Sequence, residues 1–128
     1  MVSKLRILVT GSRGWTDDFT IYKALKAYTK QYKPSEITVV HGDHWTGADA
    51  LADRAARRLG MQVEPHPADW GRGRRAGPER NSRMVEAGAD ICLGFPEALS
   101  RGTLDCMTKA RDAGITVINL GDNNVWTD

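Results

Sequence analysis

The sequence predicts a three-layer α/β sandwich built on a five-stranded, mostly parallel sheet. Five short apolar runs recur along the chain, and four segments with a helical spacing of apolar residues alternate with them. The connecting loops are short, and no linker-like or repetitive stretch divides the 128 residues. We therefore expect one domain over residues 1–128, with a polar tail at 121–128.

The predicted strands are apolar and rich in β-branched residues, which suits strands that are covered on both faces. They run from Leu5 to Val9, Ile37 to His41, Met61 to His66, Ile91 to Phe95 and Ile115 to Leu120. The third strand contains Pro65 and is followed by Pro67. Because proline cannot donate a ladder hydrogen bond, we place this strand at an edge of the sheet.

Each gap between strands contains helix start and end signals. Thr46 and Asp49 have the spacing of a capping box, in which each side chain accepts a hydrogen bond from the other residue's backbone N–H. Alanines dominate the face of that helix, and small side chains let a helix pack closely on a sheet. The apolar face of the first helix is predicted to contain Ile21, Leu25, Tyr28 and Tyr32. The predicted starts are Thr16, Thr46, Pro78 and Gly102, and the predicted stops are Pro34, Gly60 and Gly114.

Composition excludes several classes of protein. The formal net charge is only +2, which argues against a protein that coats nucleic acid. Cys92 and Cys106 fall in a predicted strand and a predicted helix, so we expect buried thiols in a reducing compartment. The stretch MVSKLRILV does not predict a signal peptide, and no apolar run approaches the length of about 20 residues that a membrane span needs. We expect a cytoplasmic protein with no bound cofactor, and no cluster with zinc-ligand spacing predicts a metal site.

The first strand leads into a glycine-rich turn, in the stretch LRILVTGSRGW. Gly11 and Gly14 would let backbone N–H groups approach an anion at the carboxyl end of the strand. The turn has neither the GxGxxG pattern nor the GxxxxGK[ST] pattern, so it predicts no dinucleotide fingerprint and no Walker A loop. A structural turn without a ligand is the alternative interpretation.

Polar, glycine-containing loops follow the first four predicted strands. In a parallel sheet with right-handed crossovers, such loops meet at one edge of the sheet. We therefore predict that these loops form one site.

A loop before the third helix concentrates positive charge. Its arginines, with the one in the predicted first turn of the helix, are Arg72, Arg74, Arg75 and Arg80. The amino terminus of a helix carries partial positive charge, so a cation there is disfavoured by about 0.3–1 kcal/mol. A phosphate or carboxylate among these arginines would account for the arrangement, whereas solvated loop arginines are the alternative. Arg13 in the first turn is a further candidate.

The loop after the second strand contains two carboxylates and two histidines. From the residues alone we assign the capping box to Asp49 and ligand binding to Asp43, whose carboxylate would accept the hydroxyls of a ribose. His41 and His44 are candidates for acid or base chemistry or for structural hydrogen bonds. Three tryptophans would either stack on a base or pack at the rim: Trp15, Trp45 and Trp70.

The last loop carries the strongest phosphate signal. Ser100, Arg101, Gly102 and Thr103 open the fourth helix, where first-turn N–H groups point outward. Gly102 permits close backbone approach, and the Thr103 hydroxyl can donate a hydrogen bond. Asp105, one turn into the helix, is either a partner of the helix dipole or an acid near a reacting centre.

Four stretches carry a family resemblance: VTGSRGWTD, VHGDHWTGADALA, ADWGRGRRAGPERNSRM and GFPEALSRGTLDCMTKA. In this order they resemble the YspA branch of the SLOG superfamily over nearly the whole chain. The resemblance implies a Rossmann-like fold that binds a nucleotide or nucleotide-derived ligand, and it implies a homo-oligomer. The pocket residues that it implies are Gly11, Ser12, Arg13, Gly42, Asp43, Gly47, Asp49, Arg80, Asn81, Gly102 and Thr103.

The chain departs from its hydrolase relatives at one position. LOG-type phosphoribohydrolases use an arginine and the glutamate of a PGGxGTxxE motif, and here Cys106 stands at the place of that glutamate. Asp105 lies one position earlier, about 100° away around the helix. We therefore expect a sensor or sequestering module for a phosphate-containing small ligand. The alternatives are a nucleoside-monophosphate phosphoribohydrolase with Asp105 and Arg80 as catalytic residues, and a single-stranded nucleic-acid binder, which the charge balance disfavours. In the tail, Val125 and Trp126 either dock on the domain or serve a partner.

Overall fold

A five-stranded sheet with flanking helices forms the centre of the computed structural model, which describes residues 3–98, 100–124 and 126. The strands are β1 (Leu5–Gly11), β2 (Ile37–His41), β3 (Gln62–Pro65), β4 (Ile91–Phe95) and β5 (Thr116–Asn119). The α-helices are α1 (Asp18–Ala27), α2 (Gly47–Leu59), α3 (Ala76–Ala87) and α4 (Arg101–Asp112). Short 3₁₀ turns span Tyr28–Lys30, Pro34–Glu36 and Trp70–Arg75.

The strand order is β3-β2-β1-β4-β5, and every neighbouring pair is parallel. The predicted α/β architecture is confirmed, and the sheet is wholly rather than mostly parallel. The proline-interrupted strand β3 lies at an edge, as predicted. Because all strands point the same way, the loops that follow β1, β2 and β4 lie at the same edge of the sheet.

The sheet buries apolar side chains on both faces, which completes the three predicted layers. On one face, Ile7 and Val9 pack in a core cluster with Ile21 of α1 and the alanines of α2. On the other face, Leu8 packs in a second cluster that includes Met84 of α3 and residues of α4. The buried alanines of α2 are Ala48, Ala52, Ala55 and Ala56, as expected for a helix packed closely on the sheet.

Two helix boundaries differ from the predictions. Helix α1 ends at Ala27 rather than near Pro34, because the chain tightens into a 3₁₀ turn in which the Thr29 hydroxyl donates to the Lys26 carbonyl at 2.6 Å. Tyr28 therefore packs against the core from outside the helix. Helix α3 begins two residues before Pro78, which a first turn tolerates because its N–H groups have no intrahelical acceptor.

Both cysteines are buried free thiols, as predicted. Trp126 of the tail docks on the domain: the Arg111 guanidinium lies 4.8 Å from its ring centroid, and Asn119 Nδ2 donates to its carbonyl at 3.1 Å. Val125 lies outside the described residues. Among the described helices, none combines the length and the apolar character that a bilayer crossing requires.

An ion pair between Arg6 of β1 and Glu64 of β3 makes stability depend on pH. Arg6 donates from both terminal nitrogens to Glu64, at 2.9 and 2.8 Å, and mainly for this reason the pKa of Glu64 falls from 4.5 to about 2. The folded state therefore binds fewer protons than the unfolded state between these two values. We expect the contribution of the pair to be complete above pH 4.5 and to disappear towards about pH 2.

The expected contribution is on the order of 1 kcal/mol, because solvent screens a side chain that is 36% exposed. Urea unfolding across this pH range measures it, and Glu64→Gln should remove this part of the pH dependence. Identical pH profiles for the wild type and the variant would contradict the assignment.

Candidate functional site

A cavity of about 400 Å³ opens at the carboxyl edge of the sheet. This volume lies in the usual range for a small-molecule site. Its walls come from the end of β1, the loops that follow β1, β2 and β4, the start of α2, α3, and the start of α4. The lining residues are Thr10, Gly11, Ser12, Arg13, Gly42, His44, Thr46, Asp49, Gly77, Pro78, Arg80, Asn81, Met84, Ala98, Ser100, Arg101, Gly102 and Thr103.

The structure brings together most of the predicted site residues. Those that line the cavity are Gly11, Ser12, Arg13, Gly42, Asp49, Arg80, Asn81, Ser100, Arg101, Gly102 and Thr103. Asp43, Gly47 and Asp105 do not line it. The predicted meeting of the first, second and fourth loops is therefore observed, whereas ligand contacts of these residues stay predictions.

The amino terminus of α4 forms one wall. Leu104 N donates to the Ser100 carbonyl at 3.0 Å, and the N–H groups that precede it in α4 have no acceptor among the described residues of the helix. The Ser100 hydroxyl does not cap them, because it accepts from Glu97 N at 3.0 Å. Gly102 leaves open space where a Cβ would stand, and Thr103 is buried. Within the part of the chain that the structure describes, this wall therefore presents N–H donors without an acceptor and the positive end of a helix dipole.

Arg80 reaches the cavity from α3, where it is the fifth residue rather than part of the first turn as predicted. The expected repulsion from the helix dipole therefore does not apply to it. Its Nε donates to Asn81 Oδ1 at 2.9 Å, and its Nη1 donates to the Gly42 carbonyl. Burial lowers the pKa of the half-buried guanidinium. Arg80 forms no salt bridge with any described residue, and its hydrogen-bond partners are neutral, although the nearby Asp49 carboxylate attracts its charge.

Asn81 is held entirely by protein contacts. Besides accepting from Arg80, it donates from Nδ2 to the Gly102 carbonyl and to Asp105 Oδ2, both at 3.1 Å. The side chain is 3% exposed. Asn81 thus joins α3 to the start of α4 and orients Arg80 between them.

Asp49 lies on the wall formed by α2, and its predicted capping box is absent. The Thr46 hydroxyl donates to the Arg13 carbonyl at 3.1 Å instead of capping α2. Asp49 Oδ2 accepts from His44 N at 3.3 Å. Burial raises the pKa of the Asp49 carboxyl, and the nearby His41 and Arg80 act in the opposite direction. Asp49 therefore lines the cavity, as the family resemblance implies, rather than completing the capping box assigned to it from local spacing.

Asp43 and Gly47 belong to the loop that borders the cavity, but neither residue lines it. Asp43 is exposed and has the only positive φ among the non-glycine residues described, 58°. It contributes to a second cavity lined by His41, Asp43, His44, Ala50, Asp53, Arg54 and Arg57. Gly47 has φ 72°, and the backbone of Ser12 and Arg13 occupies the place of a Cβ. Gly47 therefore allows the β1 loop to pack against the start of α2.

The proposed catalytic pair is not assembled. Asp105 accepts from Asn81 and forms an ion pair with Lys109 at 3.0 Å, and it does not line the cavity. Cys106 is fully buried, and burial raises the pKa of its thiol to about 12. Neither position offers a free carboxylate to the cavity.

The arginine-rich segment lies outside the cavity. Arg72 pairs with Glu79 at 2.8 Å, while Arg74 and Arg75 are exposed. Their predicted gathering around the same anion as Arg80 is not observed, because residues 70–75 turn into a 3₁₀ segment that precedes α3.

The aromatic loop residues divide into packing and rim positions. Trp15 packs edge-on against Phe95, with ring centroids 5.4 Å apart. The Arg13 guanidinium lies 5.2 Å from the ring centroid of Trp70. Trp45 is 85% exposed and stacks on His44. Trp15 therefore packs within the fold. Trp70 and Trp45 remain exposed, and they contact the cavity-lining residues Arg13 and His44, respectively.

His44, a candidate for acid or base chemistry or for structural hydrogen bonds, lines the cavity, and several further lining residues were not predicted: Thr10, Thr46, Gly77, Pro78, Met84 and Ala98. Pro78 and Gly77 were missed because α3 starts earlier than its proline indicates. Thr10 is a polar residue directly before the first turn, and this position in the sequence could have indicated that it lines the site. No group of three or more metal-ligating side chains occurs within residues 3–98, 100–124 and 126.

Two comparisons place the chain among known proteins. A family model described as the YspA, cpYpsA-related SLOG family matches residues 5–73, which contain the first two loops of the cavity. The Gene 61 protein of Mycobacterium phage D29 is 50% identical over 123 residues, covering 91% of this chain and 97% of that protein. The phage relative extends the similarity over most of the chain, beyond the segment matched by the family model. With the parallel Rossmann-like sheet, these matches show that the chain belongs to the YspA, cpYpsA-related SLOG family.

Proposed function

We propose that the cavity binds a nucleotide or a nucleotide-derived small molecule through its phosphate, as a sensor or sequestering module. Membership in the SLOG family supports a nucleotide-related ligand. The observation that carries the proposal is Arg80, a half-buried guanidinium without a salt bridge to any described residue, beside the open amino terminus of α4. Asp49 attracts Arg80 without forming a salt bridge with it, and a phosphate group would supply an anion that accepts hydrogen bonds directly from the guanidinium.

The anionic part of the ligand would lie between two sources of positive potential. The N–H groups at the start of α4 favour an anion through hydrogen bonds and the helix dipole. Arg80 retains donor capacity beyond its bonds to Asn81 and Gly42, because a guanidinium has five N–H groups. Arg13 adds a further cation that lines the cavity.

Asp49 would recognise the uncharged part of the ligand. Among the described residues, the Asp49 side chain accepts one hydrogen bond, from His44 N to Oδ2. A carboxylate accepts from hydroxyl or amino groups, which a ribose or a nucleobase provides. A phosphate beside Asp49 would be repelled, so we expect the phosphate to lie towards the amino terminus of α4 and the uncharged part of the ligand to lie towards Asp49.

A binding role fits the cavity better than hydrolysis does. Asp105 is engaged by Asn81 and Lys109, and Cys106 is a neutral buried thiol. The chain therefore does not supply, at either position, the carboxylate that N-glycosidic cleavage of the LOG type uses.

A thermal-shift panel tests the proposal. It contains nucleoside monophosphates and diphosphates, ADP-ribose, cyclic nucleotides, inorganic phosphate and phosphate-free nucleosides. A ligand at 100 times its Kd should stabilise the fold by about 2.7 kcal/mol, and phosphate-bearing compounds should exceed their matching nucleosides. The absence of stabilisation by every compound at millimolar concentration would refute the proposal.

The same samples separate the alternatives. Release of free base from a nucleoside monophosphate would show that the protein hydrolyses its ligand. Asp105→Asn would then test whether the reaction requires the Asp105 carboxylate. A shift of single-stranded DNA or RNA that persists at moderate salt would favour the nucleic-acid interpretation.

A further inference from the structure

The peptide group between Gly42 and Asp43 is held from both sides. Its N–H, on Asp43, donates to His41 Nδ1 at 2.9 Å. Its carbonyl, on Gly42, accepts from Arg80 Nη1. In a trans peptide the N–H and the C=O point in opposite directions, so one rigid plane connects the imidazole to the guanidinium.

The proton arrangement on His41 follows from its partners. The Asp43 N–H can only donate, so Nδ1 is the acceptor and carries no proton. The ring proton is therefore on Nε2, which donates to Asp53 Oδ2 at 2.8 Å. Asp53 is held in turn by Arg57 Nε at 2.6 Å, and the His41 residue is only 1% exposed. These contacts fix the tautomer and the orientation of the ring.

The hydrogen bond from Asp43 N–H to His41 Nδ1 holds a residue with an unfavourable backbone conformation. A φ of 58° is unfavourable for a residue with a Cβ, at a cost on the order of 1 kcal/mol. Without an acceptor at His41 Nδ1, the peptide could rotate away and turn the Gly42 carbonyl from Arg80. Such a rotation would release the guanidinium from one of its two protein contacts.

We propose that His41 is a positioning residue for the cavity: it holds the Gly42–Asp43 peptide so that the Gly42 carbonyl fixes Arg80. The effect of His41 on ligand binding rests on the function proposed above, whereas its effect on the peptide and on Arg80 does not. His41 does not line the cavity, and the proposed effect on Arg80 passes through this peptide. The proposal therefore gives His41, which lies outside the cavity, an indirect effect on ligand binding.

Two amide variants separate the two ring nitrogens. His41→Asn places an acceptor oxygen near the position of Nδ1 and loses the contact with Asp53. His41→Gln can reach Asp53 through its amide nitrogen but offers no acceptor near Nδ1. Both variants are uncharged and both remove the ring, so they serve as matched controls for packing.

Adenosine monophosphate is the probe for binding, measured by calorimetry at one pH. We expect His41→Asn to bind it within about threefold of the wild type, and His41→Gln to bind it roughly tenfold more weakly, the equivalent of one ordinary hydrogen bond. Equal affinities for the two variants would overturn the proposal. Failure of the wild type to bind this probe would count against the proposed function for that nucleotide and would leave the next measurement decisive.

The ligand-free protein provides that measurement by NMR. We expect slow exchange of the Asp43 amide and a sharp Arg80 Nε–H resonance in the wild type and in His41→Asn, with both lost in His41→Gln. The ¹⁵N shifts of the wild-type ring should show a proton on Nε2 alone. A ring protonated at Nδ1, or an Arg80 resonance unchanged in His41→Gln, would overturn the proposal whether or not any nucleotide binds. If both variants unfold, the wild-type ring tautomer and Asp43 exchange decide it.

Discussion

Arg80→Gln is expected to weaken binding of the most stabilising phosphate-bearing compound of the panel by about 100-fold. Hydrogen bonds to charged groups contribute roughly 1.5–3 kcal/mol, and about 2.7 kcal/mol corresponds to a factor of 100. Glutamine keeps a polar head, so the Gly42 carbonyl and Asn81 retain a possible partner while the charge is lost. Because Arg80 is half-buried and without a salt bridge among the described residues, its removal should change the free energy of unfolding little. Calorimetric titration with parallel urea unfolding measures both effects.

Arg74→Gln is the matched control for charge. Arg74 is exposed, lies six residues before Arg80 and does not line the cavity. Its loss should change affinity by less than about threefold, as expected for long-range steering by an exposed charge. Arg80→Lys should give an intermediate loss, because an ammonium keeps the charge but not the planar fork. Equal effects of Arg80→Gln and Arg74→Gln would show that only net charge matters.

Gly47→Ala is expected to lower the free energy of unfolding by about 3 kcal/mol and to abolish binding to the cavity. A Cβ at Gly47 would stand 2.5 Å from Arg13 Cα and 2.6 Å from the Arg13 carbonyl carbon, so backbone must move. The φ of 72° adds strain of about 1 kcal/mol, and overpacking typically costs a further 1–3 kcal/mol. The displaced β1 loop contains Ser12 and Arg13, which line the cavity. Urea unfolding and titration with the chosen nucleotide measure the two losses.

Gly114→Ala isolates the contribution of the backbone conformation. Gly114 has φ 85°, and no atom lies within 4 Å of its ideal Cβ position. We expect a loss of about 1 kcal/mol and unchanged binding, because only the left-handed conformation is disfavoured. If Gly47→Ala and Gly114→Ala destabilise the protein equally, close packing between the β1 loop and α2 contributes nothing.

The carboxylates after β2 show where prediction from sequence stopped. The Thr46–Asp49 spacing fits a capping box, and Asp43 directly follows a strand, so local pattern assigned the cap to Asp49 and the ligand to Asp43. In the structure the Thr46 hydroxyl reaches the β1 loop, 33 residues away, and Asp49 is free to line the cavity. Local spacing cannot register such a partner, because the competing acceptor belongs to another part of the chain.

The arginines show the same limit. Sequence grouped Arg80 with its neighbours in a single positively charged segment. The structure separates them, because the 3₁₀ segment pairs Arg72 with Glu79 and α3 carries Arg80 to the cavity. What distinguishes Arg80 is burial without a salt bridge, and burial is a property of the packed state.

The sequence by itself determined the three-layer architecture, the bounds of β2 and β4, the edge position of β3 and the edge of the sheet at which the loops meet. These features follow from apolar periodicity, proline and glycine positions and the direction of parallel strands, all of which are local or topological. Only the tertiary structure decided that Asp43 does not line the cavity, that Asp49 is released from the capping box, and that His41 and Arg80 hold one peptide between them. Side-chain partners distant along the chain are chosen by packing, because each hydrogen bond forms wherever burial brings a donor and an acceptor together.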